Sequence, residues 1–283
     1  MVTGKKDFRW VLTRIMMYIV MIFTVAVSIF PIIWVVISSF KTNAEILGGA
    51  LTVPSGFSVG AEAYRYLFEQ YNFLLYFFNS LLISTISTAV SLLFYAMGGY
   101  VLAKFRFPGR GILFALFTIT MLVPGHSKAQ PIMQLIVNFN LYDTKTGVTL
   151  VYLSSGMAMS MFLLRGTFLS IPKELDESAM LDGAGFFRTF WSINFPLAKS
   201  GLATAGILMF LGNWNEYFYA ALLTSSEQNR TLPVALQFFN QSFSYDYTKM
   251  FAALTIVVLP GILLYMCAQE QVQQSVATSG MKN

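Results

Sequence analysis

The chain has 283 residues, 56% hydrophobic and 11% charged, with a formal net charge of +5 and a mean hydropathy of +0.62. Soluble domains carry about 25% charged residues, so this deficit excludes an ordinary soluble protein and points to a polytopic membrane protein. Its one cysteine, Cys267, excludes a disulfide framework and a cysteine-based metal site, and reads as a small apolar packing residue.

A helix rises about 1.5 Å per residue, so about 20 apolar residues cross a hydrocarbon core of about 30 Å. Residues 1–14 carry Lys5, Lys6, Arg9 and Arg14 and form an amino-terminal segment ahead of the first apolar run. That run, 15–40, is uncharged, tolerates Pro31, and is too long for the apolar part of a cleavable signal. The second, 73–103, is uncharged and longer than a crossing needs. Ser80, Ser84, Ser87, Ser91 and Tyr95 share one of its faces, a spacing that favours close contact between helices over a channel lining. The third, 111–137, is broken by Pro124-Gly-His-Ser-Lys-Ala-Gln-Pro131, expected to form an outer-face bend or gate. The fourth is 148–164. The fifth, 201–224, is interrupted by Asn213, Asn215 and Glu216. The sixth is 251–268, followed by a tail, 269–283.

Charge decides whether 111–137 crosses, because short cytoplasmic loops collect Lys and Arg. Lys104, Arg106 and Arg110 follow the second run; Arg165, Lys173, Arg188 and Lys199 precede the fifth; Lys282 ends the tail. These fall on the same side as the amino end only if 111–137 crosses. The reading is six transmembrane helices with both termini cytoplasmic. Orientation then accounts for the positive charge, and no nucleic-acid partner is called for.

Between the fourth and fifth runs lies a charged segment, 170–199. Pro172 suits the start of a helix, and Glu174, Asp176 and Glu177 offset the dipole of its first turn. Ser178-Ala-Met-Leu181 continues that helix, and Asp182-Gly183 stops it, since glycine readily takes the left-handed conformation that ends helices. Phe186, Phe187, Phe190 and Trp191 then recur at helical spacing, and Pro196 closes the segment. The expectation is helix, sharp turn, helix: a rigid knob able to enter a partner's groove. In the fifth run Glu216 is costly at membrane depth, so it faces either a pathway or a structural partner. Asn213, Trp214, Asn215, Glu216 and Tyr217 are the pathway candidates, because they offer amide and carboxylate hydrogen bonds beside aromatic faces; a structural hydrogen bond between helices is the competing reading.

Glu177-Ser-Ala179, Met180-Leu-Asp182, Gly183-Ala184 and Pro196 together resemble the "EAA" coupling loop of ABC importer permeases, with Ser178 in place of the first alanine. Further segments resemble the carbohydrate, maltose-type subgroup and its smaller permease subunit: Pro31-Ile-Ile-Trp34, Ser39-Phe-Lys41, Asn79-Ser-Leu81, Gly99 to Gly109, Trp214-Asn-Glu216 and Thr231-Leu-Pro-Val234. The tail from Gln269 to Gly280 departs from the family pattern. The resemblance implies an all-α membrane protein of the type I ABC importer permease fold, with cytoplasmic coupling helices, in a bacterial inner membrane. It implies a second permease, two ABC ATPase subunits, an extracytoplasmic solute-binding protein and a carbohydrate substrate as partners. It further implies that Glu174, Glu177, Ser178, Ala179, Asp182, Gly183 and Ala184 couple to the ATPase. No catalytic, cofactor or metal-binding residue is expected, since no phosphate loop, Gly-x-Ser-x-Gly or His-Glu-x-x-His occurs. The alternative is an ion- or proton-coupled secondary transporter acting alone, with Glu216 as its coupling carboxylate.

Overall fold

A computed structural model describes residues 8–49, 51–242 and 245–280, and every regular element among them is helical. Lys5, Lys6 and Lys282, counted above in the charge argument, lie outside the described residues, as does the side chain of Cys267. In chain order the elements are α1 (Phe8–Ser38), α2 (Asn43–Gly48), α3 (Ser58–Gln70) and α4 (Phe73–Lys104). Next come α5 (Arg110–Ile119), α6 (Ala129–Asn138), α7 (Lys145–Leu153) and α8 (Met157–Leu169). Then follow α9 (Lys173–Leu181), α10 (Phe186–Thr189), α11 (Phe195–Leu197), α12 (Lys199–Trp214), α13 (Phe218–Leu223), α14 (Leu232–Ser242) and α15 (Tyr247–Gly280).

The chain divides into two compact bodies, residues 1–71 with 238–258, and residues 72–237 with 259–283. In the first, α1 is apolar and exposed from Trp10 to Ile33, as suits a helix surrounded by lipid or a partner, and becomes buried at Ser38. Its carboxyl end is pinned from the far end of the sequence: the Lys41 carbonyl accepts from Thr248 Oγ1 at 2.7 Å, and Asn43 Nδ2 donates to the Tyr245 carbonyl at 3.1 Å. Trp34 meets Phe251 edge to face at 5.0 Å. α2 begins with a capping box, in which Thr42 Oγ1 accepts from the Glu45 N–H while Glu45 Oε2 accepts from the Thr42 N–H.

In the second body α4 is the central helix, packed against α7, α8 and α12. Its serine face is a seam between helices, as the spacing favoured. Ser87 Oγ donates to the Thr149 carbonyl at 3.2 Å, and Ser80 Oγ accepts from the Leu232 N–H at 2.8 Å. Small side chains let the helices approach, and their hydroxyls meet backbone groups that lipid would leave unsatisfied.

Several spans differ from their sequence limits. α1 ends at Ser38. The fourth apolar run is not one rod: α7 and α8 meet at a bend of 47°, where Gly156 takes φ +69°. Ser91 Oγ donates to the freed Leu153 carbonyl at 2.8 Å, and the Tyr95 hydroxyl donates to the same oxygen. The third is broken as predicted: α5 with its 3-10 extension, and α6 with the turn before it, meet at 102° on either side of Pro124. The fifth divides into α12 and α13 at Asn215–Tyr217. α15 continues as helix through residues 269–280, expected to be tail.

Candidate functional site

The 170–199 segment folds as helix, turn, helix. Pro172 stands just ahead of α9, and Glu174 and Asp176 occupy its first turn. At its end the Gly183 N–H donates to the Met180 carbonyl at 3.0 Å and the Ala184 N–H to the Ala179 carbonyl at 2.9 Å, with Gly183 at φ +77°. Those paired bonds are a Schellman cap, which reverses the chain through a left-handed residue. A Cβ on Gly183 would meet nothing within 4 Å, so glycine is demanded by conformation and not by space. α10 then runs into a π-helical turn, Phe190–Asn194.

One side of this segment packs onto its own body. Tyr100 of α4 contacts Phe168, Phe186 and Phe190 at ring separations of 5.2–5.6 Å. The Lys104 ammonium lies 2.8 Å from Asp176 Oδ2 and donates to the Ile171 carbonyl at 2.8 Å, with both side chains buried. Asn194 Nδ2 donates to Asp176 Oδ1 and to the Thr189 carbonyl. The other side is bare: Leu181 is 89% exposed and Phe187 63%. A large apolar side chain left this open on a charged helical knob marks an interaction surface.

The helix breaks are cross-linked. Glu216 Oε1 accepts from the Tyr219 N–H at 2.9 Å; Oε2 accepts from the Ala220 N–H at 3.1 Å and from the Tyr152 hydroxyl at 2.8 Å. The carboxylate thus caps the amino end of α13 and ties it to α7. The Tyr219 hydroxyl donates to the Gly125 carbonyl at 2.6 Å, and His126 packs on Phe218 at 4.3 Å. The interruptions of the third and fifth spans therefore meet, and the end of α7 joins them. Discontinuous helices that meet in this way are how transporters line a pathway with backbone polar groups.

A family model described as "binding-protein-dependent transport system inner membrane component" matches residues 95–278, which takes in the knob, the breaks of the third, fourth and fifth spans, and most of α15. The chain belongs to this family. This permease is 31% identical over 253 residues to the diacetylchitobiose uptake system permease protein NgcG of Streptomyces coelicolor, covering 89% of this chain and 83% of that one. It is 30% identical over 256 residues to the arabinooligosaccharides transport system permease protein AraQ of Bacillus subtilis, covering 90% of each. Among solved structures it resembles a bacterial ABC transporter involved in the import of alginate, with a TM-score of 0.78 and 24% identity over 95% of this chain and 99% of that chain. That likeness establishes the all-α ABC importer permease fold.

In the permease, Glu174, Glu177, Ser178, Asp182 and Gly183 lie on the exposed side of the knob and Ala184 is half-buried. Ala179 departs from the expectation of a partner-facing residue: it is buried with Asp176, three residues earlier on the same side of α9. Its small side chain seats the helix on its own body. Ser178 Oγ bonds back to the Glu174 carbonyl at 2.8 Å, so the hydroxyl replacing the family's alanine is satisfied within the helix. Among the pathway candidates, Asn213 and Trp214 are buried. Asn213 Nδ2 reaches Thr88 Oγ1 at 3.3 Å, and Trp214 packs on Phe77 and Phe210. Asn215 and Tyr217 are exposed. Lys104, Asp176, Asn194, Tyr152 and Leu181 were not among the expected site residues; Lys104, Asp176 and Leu181 entered only as an orientation charge, a first-turn charge and a helix former. The Asp176–Ala179 spacing was the one local signal for an inward face; Lys104 and Tyr152 gave none, because their partners are remote in sequence.

Proposed function

We propose that this permease carries a carbohydrate across a bacterial inner membrane as one subunit of an ABC importer, pairing with a second permease and drawing on two ATPase subunits. Sugar arrives from an extracytoplasmic binding protein. Both termini and the 170–199 knob face the cytoplasm, six helices cross, and the ATPase grips the exposed side of α9 through Glu174, Glu177, Ser178, Asp182 and Gly183, with Ala184 beside them. Closure of the ATPase dimer on ATP moves the knob, and the helix bundle opens outward to receive sugar. Asn215 and Tyr217 line the pathway at the break of the fifth span, while Asn213, Trp214 and Glu216 hold that break in shape.

The observation that carries the reading is the family match extending across a rigid knob whose apolar tip is left open. The carbohydrate reading is supported by relatives named for diacetylchitobiose and arabinooligosaccharides. The test is reconstitution in proteoliposomes with the second permease and the ATPase, supplied with the binding protein and a panel of oligosaccharides. Uptake is expected to need both ATP and the binding protein. Uptake by this chain alone, driven by a proton or sodium gradient, would overturn the reading.

A further inference from the structure

Lys104 ends α4, an otherwise uncharged helix, and its side chain is only 5% exposed against 9% for Asp176. Taking two charges out of water is costly, so a chain that needed only to seat α9 could do it with apolar side chains. The Tyr100–Phe186–Phe190 cluster beside the pair already supplies apolar seating. The ion pair adds direction. Lys104 Nζ reaches the carboxylate of α9 and the Ile171 carbonyl at its entrance, while Asp176 Oδ1 accepts from Asn194 in the π-helical turn beyond α10. One pair of charges therefore fastens both arms of the knob to the end of a single helix. Aromatic faces can slide past each other with little change in energy, whereas a buried pair bonded at several fixed points cannot. From Lys104 the same helix leads to Ser91 and Tyr95, which hold the Leu153 carbonyl at the bend of the fourth span, and to Ser87, bonded to α7.

We propose that the buried Lys104–Asp176 pair, braced by Asn194, is the joint through which displacement of the knob becomes displacement of α4 and of the broken helices bonded to it. Lys104, Asp176 and Asn194 are positioning residues for transport; none of them touches ATP or sugar. The proposal rests on the coupling role of the knob given above.

The experiment uses the whole transporter in proteoliposomes and reads three quantities: retention of the ATPase, ATP hydrolysis stimulated by the binding protein, and sugar imported per ATP. Lys104→Met with Asp176→Leu replaces the pair by apolar side chains and leaves α9 seated. It should keep the ATPase and its hydrolysis while sugar per ATP falls by about fivefold or more, within the range for residues that carry coupling. Lys104→Arg keeps the charge and the donors and should import normally. Gly183→Pro serves as the control on the knob itself. Sugar per ATP within twofold of the unmodified transporter in the double variant, alongside an uncoupled Gly183→Pro, overturns the joint and spares the knob. If Gly183→Pro also imports normally, the coupling role of the knob falls. Should the double variant lose the ATPase, Asn194→Leu decides: it removes only the brace, and normal import per ATP in that variant overturns the proposal.

Discussion

Glu216 carries its charge into an apolar run, and a charge at the centre of a membrane helix costs about 2.5–3.5 kcal/mol on insertion scales. That cost was legible in the sequence; the direction in which the side chain spends itself was not. Two backbone donors of α13 and the Tyr152 hydroxyl occupy its oxygens, so it works as a helix cap inside a break. Glu216→Gln keeps one acceptor and should import sugar at a rate close to the unmodified protein, whereas Glu216→Ala should destabilise by about 1–3 kcal/mol, read as thermal unfolding in detergent. Loss of import in a fully stable Glu216→Gln would return the residue to the pathway. Asp143, in the turn between α6 and α7, shows the same logic at the surface. Burial pushes its carboxyl up, but donors from the Ser225 and Ser226 backbone, the Ser226 hydroxyl and Asn229 outweigh that and hold it at about 2 against an ordinary 3.8. A depressed carboxylate stabilises above its unfolded value and loses that contribution as pH falls through its folded one. Segment 224–230 should therefore resist proteolysis above about pH 4 and become cleavable towards about pH 2; Asp143→Asn should make it cleavable throughout.

Among the elements, the breaks separate what composition announces from what it conceals. Pro124, Asp182-Gly183 and the Asn213–Glu216 cluster are themselves unusual residues for helix interiors, so three interruptions could be read directly. The bend at Ser154–Gly156 could not, because what makes it affordable is remote: Ser91 and Tyr95 of α4 supply the hydroxyls that satisfy the Leu153 carbonyl. The two donors share one oxygen, so their effects should not add. Ser91→Ala or Tyr95→Phe alone should cost about 0.6 kcal/mol, a typical value for hydrogen bonds between membrane helices, while the double variant should cost clearly more than the sum of the two, because the carbonyl is then orphaned. Strictly additive unfolding energies would sink the idea of a shared cap. At the carboxyl end of α4 the apolar stripe of the knob's second helix was visible as spacing, but only Phe186 and Phe190 pack on Tyr100, while Phe187 and Trp191 stay exposed. A π-helical turn begins at Phe190, and the stripe assumed an even α-helical period across it.

For the whole molecule, hydropathy predicted a helical membrane protein, and every regular element among the described residues is helical; the placement of Lys and Arg predicted an orientation. Orientation is checked by single cysteines in a Cys267→Ser background. In intact cells an impermeant maleimide should label Ser58→Cys and spare Ser170→Cys until the membrane is opened; the reverse pattern would invert the topology. What charge counting could not reach is the manner in which the aqueous end is finished. Leu181 stands almost fully open beside Asp182 at the tip of the knob, with Met180 and Phe187 also open. A subunit synthesised ahead of its partners would display that greasy tip to chaperones and proteases. With the knob docking on the ATPase as proposed, exposure of this kind should shorten the life of the unassembled chain and so keep permease and ATPase in step. Pulse-chase labelling should find the chain degraded faster when the ATPase is absent, and Leu181→Ser should narrow the difference.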